Sequence, residues 1–168
     1  MSNLSKLKFA RYDYAAFSGY VAYACCAMVF SIVLTSMAQS LNFPLEQGNQ
    51  GAGGALHLGR SIAMLLMMLA SSVIARLFGL RRSLGTALLF IGGGIVFAAG
   101  ATGYVSLFGA VLFSALGQGL FEVLVTPAAR ELHRNEDASR YVNITHAFWP
   151  LGIVGVVLIG GYCIGGEV

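Results

Sequence analysis

The chain has 168 residues and a net charge of +3, but only 10% of its residues are charged against 57% hydrophobic, with mean hydropathy +0.77; a soluble domain carries roughly 25% charged residues. So few charges cannot cover a water-facing surface of this size, so the apolar excess is expected to face lipid. The basic residues sit in short loops between apolar runs, which excludes a nucleic-acid patch, and Cys25, Cys26 and Cys163, odd in number and inside apolar runs, exclude a disulfide framework or zinc site and read as small packing residues.

A first span is predicted from about Ala15 to Met37, long enough for a hydrocarbon core that needs roughly 20 residues. Lys6, Lys8 and Arg11 precede it, and Ala22-Tyr23-Ala24 imitates a cleavage site. The apolar run continues far past that point, so the span is expected to stay uncleaved. Asn42, Phe43 and Pro44, then Gly48 to Gly54, read as the first loop. A second span follows from about Ala55 to Leu77 and ends in a tight basic turn, Phe78-Gly79-Leu80-Arg81-Arg82. The third is predicted over about Leu84 to Ala101, the fourth over about Tyr104 to Ala129 and the fifth over about Tyr141 to Tyr162, with a charged loop from Arg130 to Arg140 between the last two. The fold class is therefore all-α, a polytopic transmembrane helix bundle.

Lys and Arg are enriched in cytoplasmic loops. Lys6, Lys8 and Arg11 precede the first span, Arg76, Arg81 and Arg82 lie at the turn after the second, and Arg130, Arg134 and Arg140 lie after the fourth, leaving Arg60 alone on the other side. This asymmetry predicts a multi-pass protein of the cell's inner (plasma) membrane with a cytoplasmic N-terminus. Glycines inside the spans, at 92, 93, 94, 117, 119, 152 and 155, are expected to let helices approach closely. Gly92-Gly93-Gly94 lacks the spacing and the preceding strand of a dinucleotide fingerprint, and no cofactor is expected.

The residue that most needs an explanation is Glu122. A lone carboxylate in an apolar span is costly in hydrocarbon, so it is expected to face a cavity or a partner. Ser114, Gln118, Glu122 and Thr126 recur every fourth residue, a stripe that drifts about 40° per step, and Gln118 and Glu122 one turn apart read as a cavity lining. Glu122 lies eight residues before Arg130, roughly 12 Å inside the end of its helix, too deep to snorkel. Asn143, His146 and Pro150 share a face of the fifth span. His146 reads either as an interhelical hydrogen-bonder or as part of the same cavity, and Asn143 as a further hydrogen-bonding group. On the first span, Ser31, Thr35 and Gln39 form a weaker stripe, with Phe17, Tyr20 and Tyr23 nearer the start as core packing or ligand stacking. His57 and Arg60 share a face of the second span, where Arg60 is expected to snorkel outward or to pair with Glu46, in a gating or anchoring role. The match of Asn143-Ile144-Thr145 to a glycosylation sequon is accidental on the predicted cytoplasmic side.

The five spans with their two basic turns resemble the N-terminal six-helix half of a major facilitator superfamily transporter. More specifically, Gly117-Gln118-Gly119-Leu120-Phe121-Glu122 with Pro127, then Glu131-Leu132, then Asn143-Ile144-Thr145-His146-Ala147-Phe148 and Gly152, resemble the fucose/glucose sugar-proton symporter branch. The resemblance implies two six-helix halves around a central cavity, so a sixth helix and the whole C-terminal half would be missing partners and the chain a fragment. It also implies a gating turn at Gly79, Arg76, Arg81 and Arg82, although Arg76 stands where that turn normally carries Asp. Ser31 occupies the place of an acidic residue on the first helix of fucose symporters.

Together these features lead to an expected function of membrane transport of a small polar solute, a sugar by resemblance, through alternating access and coupled to a proton or another ion. Substrate-binding or proton-coupling residues are expected among Glu122, Gln118, Asn143, His146, Ser31 and Thr35. A small self-associating membrane scaffold is the alternative, and an intramembrane enzyme using Glu122 and His146 as acid and base is a weaker one, because no metal-ligand pair, nucleophile motif or cofactor signature accompanies them.

Overall fold

The computed structural model describes residues 9–43, 51–134 and 138–165. Five helices account for nearly all of them: α1 (Arg11–Ser40), α2 (Gly51–Phe78), α3 (Leu80–Ala99), α4 (Tyr104–Leu132) and α5 (Ala138–Gly165). All five are long and apolar enough to cross a membrane. In lipid a backbone must satisfy its own polar groups, and a continuous helix does so within one segment. The chain is thus an all-α bundle of the multi-pass membrane class.

α4 starts at Tyr104 as predicted, and the other helix ends differ from the predicted spans by one to four residues, several with a local cause. α1 starts four residues earlier than expected because Asp13 accepts a hydrogen bond from the Ala10 amide at 2.7 Å, closing the first turn. α3 starts at Leu80 and not near Leu84, because Gly79 alone makes the turn. Its φ of +83° reverses the chain in one residue, a conformation only glycine adopts cheaply. Arg81 and Arg82 therefore belong to the first turn of α3. α2 begins at Gly51, inside the stretch predicted as loop, where the Ala52 carbonyl accepts from the Tyr104 hydroxyl at 2.9 Å. Lys6, Lys8 and Glu46 lie outside the described residues.

α4 is the pillar of the bundle. In its most apolar stretch 61% of the residues are buried, against 11% in α2 and in α5, so the other helices pack around α4 and leave their own outer faces for lipid. α3 and α2 flank α4 on one side and α1 pairs chiefly with α5 on the other. The close approach depends on particular glycines. A Cβ on Gly119 would fall on the Met64 carbonyl oxygen of α2, and one on Gly117 would meet the Ala87 carbonyl and Ile91 amide of α3. Gly94 against Ser114 and Gly152 against Ala24 serve the same purpose, whereas Gly92 and Gly155 face open space. Only part of the glycine set therefore sits at helix contacts.

Contacts between distant segments define the two ends of the bundle. At one end Asp13 of α1 pairs with His133, just past α4, at 2.8 Å, and the His133 ring stacks on Tyr141 of α5 with centroids 3.4 Å apart. Arg81 donates to the Tyr12 hydroxyl and lies over its ring at this same end. The other end is closed by Phe43, Ala98, Leu107 and Tyr104 around the tip of α1. Arg11, Arg81, Arg82, Arg130, Arg134 and Arg140 accordingly gather at the first end.

Candidate functional site

A helix that meets four neighbours presents a different chemistry to each. Across Ser114, Gln118, Glu122 and Thr126 the drift of about 40° per step accumulates to about 120°, so the predicted single polar face divides into two. Ser114 and Gln118 point toward α2 and α3, and both are fully buried. The Gln118 side-chain oxygen accepts from Arg60 Nη2 at 2.7 Å and from Nε at 3.2 Å, while its amide nitrogen donates to Ser114 Oγ at 3.1 Å. Arg60 thus turns inward onto Gln118, contrary to the outward snorkelling predicted for it. Beside Arg60 and His57 there is a space of about 10 Å³, room for no more than about one water. Gln118 belongs to this closed network and does not line the cavity described next.

Glu122 and Thr126 face α1 and α5. Here lies an open cavity of about 360 Å³ lined by Tyr20, Tyr23, Glu122, His146, Trp149 and Pro150. The Tyr20 hydroxyl and the Thr126 hydroxyl meet His146 Nε2 at 3.0 and 3.1 Å, the donor in each case depending on the ring's tautomer. The His146 ring is therefore held between α1 and α4, and it does not bond Glu122. Tyr20 and Tyr23 both lie close enough to Glu122 to feel its charge, and Tyr23 feels Arg60 as well. Among the described residues the one contact within 4 Å between a carboxylate and a basic side chain is Asp13 with His133, so no basic side chain of these residues lies that close to Glu122. Pro150 adds a further acceptor: lacking an N–H, it leaves the His146 carbonyl without its intrahelical donor.

The remaining predicted positions lie apart from this cavity. Asn143 is exposed on α5 and is not among the lining residues. Ser31 and Thr35 are exposed on α1, Ser31 being eleven residues and roughly 16 Å beyond Tyr20 along the axis. Gly79, Arg76, Arg81 and Arg82 are exposed at the α2–α3 turn. The cavity thus brings together Glu122 and His146 from the predicted set and adds Tyr20, Tyr23, Pro150 and Trp149. Trp149 is not among the residues that the sequence pattern predicts for the site. Its signal was there: it stands three residues after His146, on the face that His146 shares with Pro150.

Arranged this way, the cavity presents an aromatic wall, a carboxylate and a histidine to whatever enters it. No protein-family model matches the chain, and no curated protein or solved structure matches it either.

Proposed function

We propose that the five helices form one wall of a solute pathway in a secondary transporter of the major facilitator type, corresponding to its N-terminal half. The cargo is a small polar solute, with a sugar the class implied by the sequence resemblance, moved by alternating access and coupled to a proton or another ion at Glu122. The observation that carries this reading is the placement of Glu122: a carboxyl with no basic side chain within 4 Å among the described residues, well inside α4, opening on a cavity of about 360 Å³. Intramembrane carboxyls of this kind mark solute and ion paths. The open side of the cavity, where His146 and Trp149 are exposed, calls for further helices as the opposite wall, since polar groups facing lipid are costly. Saturable solute uptake by vesicles carrying the complete assembly, lost when the cavity is altered, tests the reading; uptake unaffected by substitutions at both Glu122 and Trp149 would rule it out.

The protein is further proposed to lie in the inner (plasma) membrane with the arginine-rich end of the bundle in the cytoplasm. With the native cysteines replaced, Arg82→Cys and Arg134→Cys are expected to react with an impermeant thiol reagent only from the cytoplasmic side, and Ser40→Cys and Thr102→Cys only from outside. All four positions are exposed, whereas nearby Ser83 is buried and donates to the Gly79 carbonyl, making Arg82 the better probe. The inverted labelling pattern would overturn the orientation.

A further inference from the structure

We infer that the turn between α2 and α3 binds an anionic phospholipid, whose phosphate is held by Arg81 and Arg82 with Arg76 beside it. This partner lies outside the cavity, and its binding does not depend on what the cavity carries. Depth within the bilayer is the first reason. α3 has 20 residues and is about 30 Å long, no longer than the hydrocarbon core it crosses. Its first turn, which holds Arg81 and Arg82, therefore stands at the border between acyl chains and headgroups. Gly79 alone separates α2 from α3, so no loop lifts the arginines into bulk water. Leu77 and Phe78, just before the turn, are exposed, an apolar edge that keeps this corner against lipid.

Charge sets the corner apart from the rest of the arginine-rich end. No acidic residue occurs between Glu46 and Glu122 in the sequence, whereas Arg130, Arg134 and Arg140 are interspersed with Glu131, Glu136 and Asp137. Asp13, on the neighbouring first turn of α1, is buried against His133. Arg76, Arg81 and Arg82 are all exposed. Arg81 is also held in place: its Nη1 donates to the Tyr12 hydroxyl at 3.2 Å, and its guanidinium carbon lies 4.5 Å from the centre of the Tyr12 ring. Its other N–H groups are left for an acceptor. A guanidinium presents planar pairs of donors that match phosphate oxygens, and clustered basic residues at a membrane surface attract anionic headgroups. A phosphate reaches such a site from lipid or from solution, and the depth of the turn with its apolar edge selects the lipid.

Native mass spectrometry of the chain purified in detergent tests this, with dioleoyl phosphatidylglycerol, dioleoyl phosphatidylcholine and inorganic phosphate as probes. Phosphatidylglycerol is expected to bind at least about tenfold more tightly than phosphatidylcholine, and the double variant Arg81→Gln, Arg82→Gln to weaken it about tenfold. The double variant Arg130→Gln, Arg134→Gln removes the same charge at the same end and should weaken it less than about twofold. An unchanged thermal midpoint in lipid-free detergent separates lost charge from lost fold, and the comparison of the two lipids on the wild-type chain needs no variant. Equal affinity for the two lipids would overturn the inference. Equal losses in the two double variants would also overturn it, leaving only a diffuse attraction of the basic end for anions. Displacement of phosphatidylglycerol by millimolar inorganic phosphate would overturn the lipid in favour of a free anion.

Discussion

Glu122→Gln is expected to reduce gradient-driven accumulation to the level reached without a gradient, while solute exchange persists at raised solute concentration. The substitution keeps the shape and one acceptor oxygen of the side chain but cannot titrate. A carboxyl that carries the coupled ion must change its protonation or its ligand during each cycle; an amide cannot. Trp149, Tyr23 and His146 still line the cavity, so binding is expected to weaken without vanishing. The wild-type structure argues against a general loss of fold, because Glu122 is only half-buried and makes no ion pair among the described residues. Counterflow and accumulation measured on the same vesicles separate the two outcomes, and wild-type accumulation by the variant would remove Glu122 from the coupling step.

Gly119→Ala is expected to disassemble the packing of α2 on α4. In a helix alanine is favoured over glycine by about 1 kcal/mol, so an open site would gain stability from the change. Here the added Cβ would fall on the Met64 carbonyl oxygen. That atom is backbone, and α2 can yield only by moving as a whole. Overpacking of this kind costs about 3 kcal/mol, and the resulting gap also opens the Arg60–Gln118 contact one residue away. Gly92→Ala, which meets nothing within 4 Å, is the matched control and should leave the thermal midpoint in detergent unchanged or slightly raised. An equal effect of both substitutions would show that glycine content, and not helix contact, governs stability.

The spans were legible in the sequence because lipid imposes one requirement on every residue of a segment, and about 20 apolar residues in a row satisfy it. Glu122 was legible for the opposite reason, as the single carboxylate in such a run. What the sequence concealed depends on rotation and on neighbours. A stripe with a spacing of four looks continuous along one helix, yet the drift delivers Ser114 and Gln118 to α2 and α3 but Glu122 and Thr126 to α1 and α5. The inward turn of Arg60 follows from Gln118 standing across from it, a pairing separated by 58 residues of chain. Asp13 carries no distinctive signal in the sequence, because an acidic residue in a first helical turn is commonplace; its pairing with His133 exists only once α1 and α4 are side by side. Trp149 stands among apolar neighbours in the sequence, and only the cavity it lines with Tyr20 and Tyr23 of α1 and Glu122 of α4 distinguishes it from a lipid-facing ring.

The proposed pathway requires that Glu122 open into a water-filled cavity within the membrane. Cysteine accessibility tests it directly: with the native cysteines replaced, single cysteines are placed at Glu122, at buried Leu120 and at lipid-facing Leu89, and membranes are exposed to a small, permanently charged methanethiosulfonate. The cysteine at 122 is expected to be modified from one side of the membrane while those at 120 and 89 stay unreacted. A cysteine at 122 as inert as the other two would contradict it.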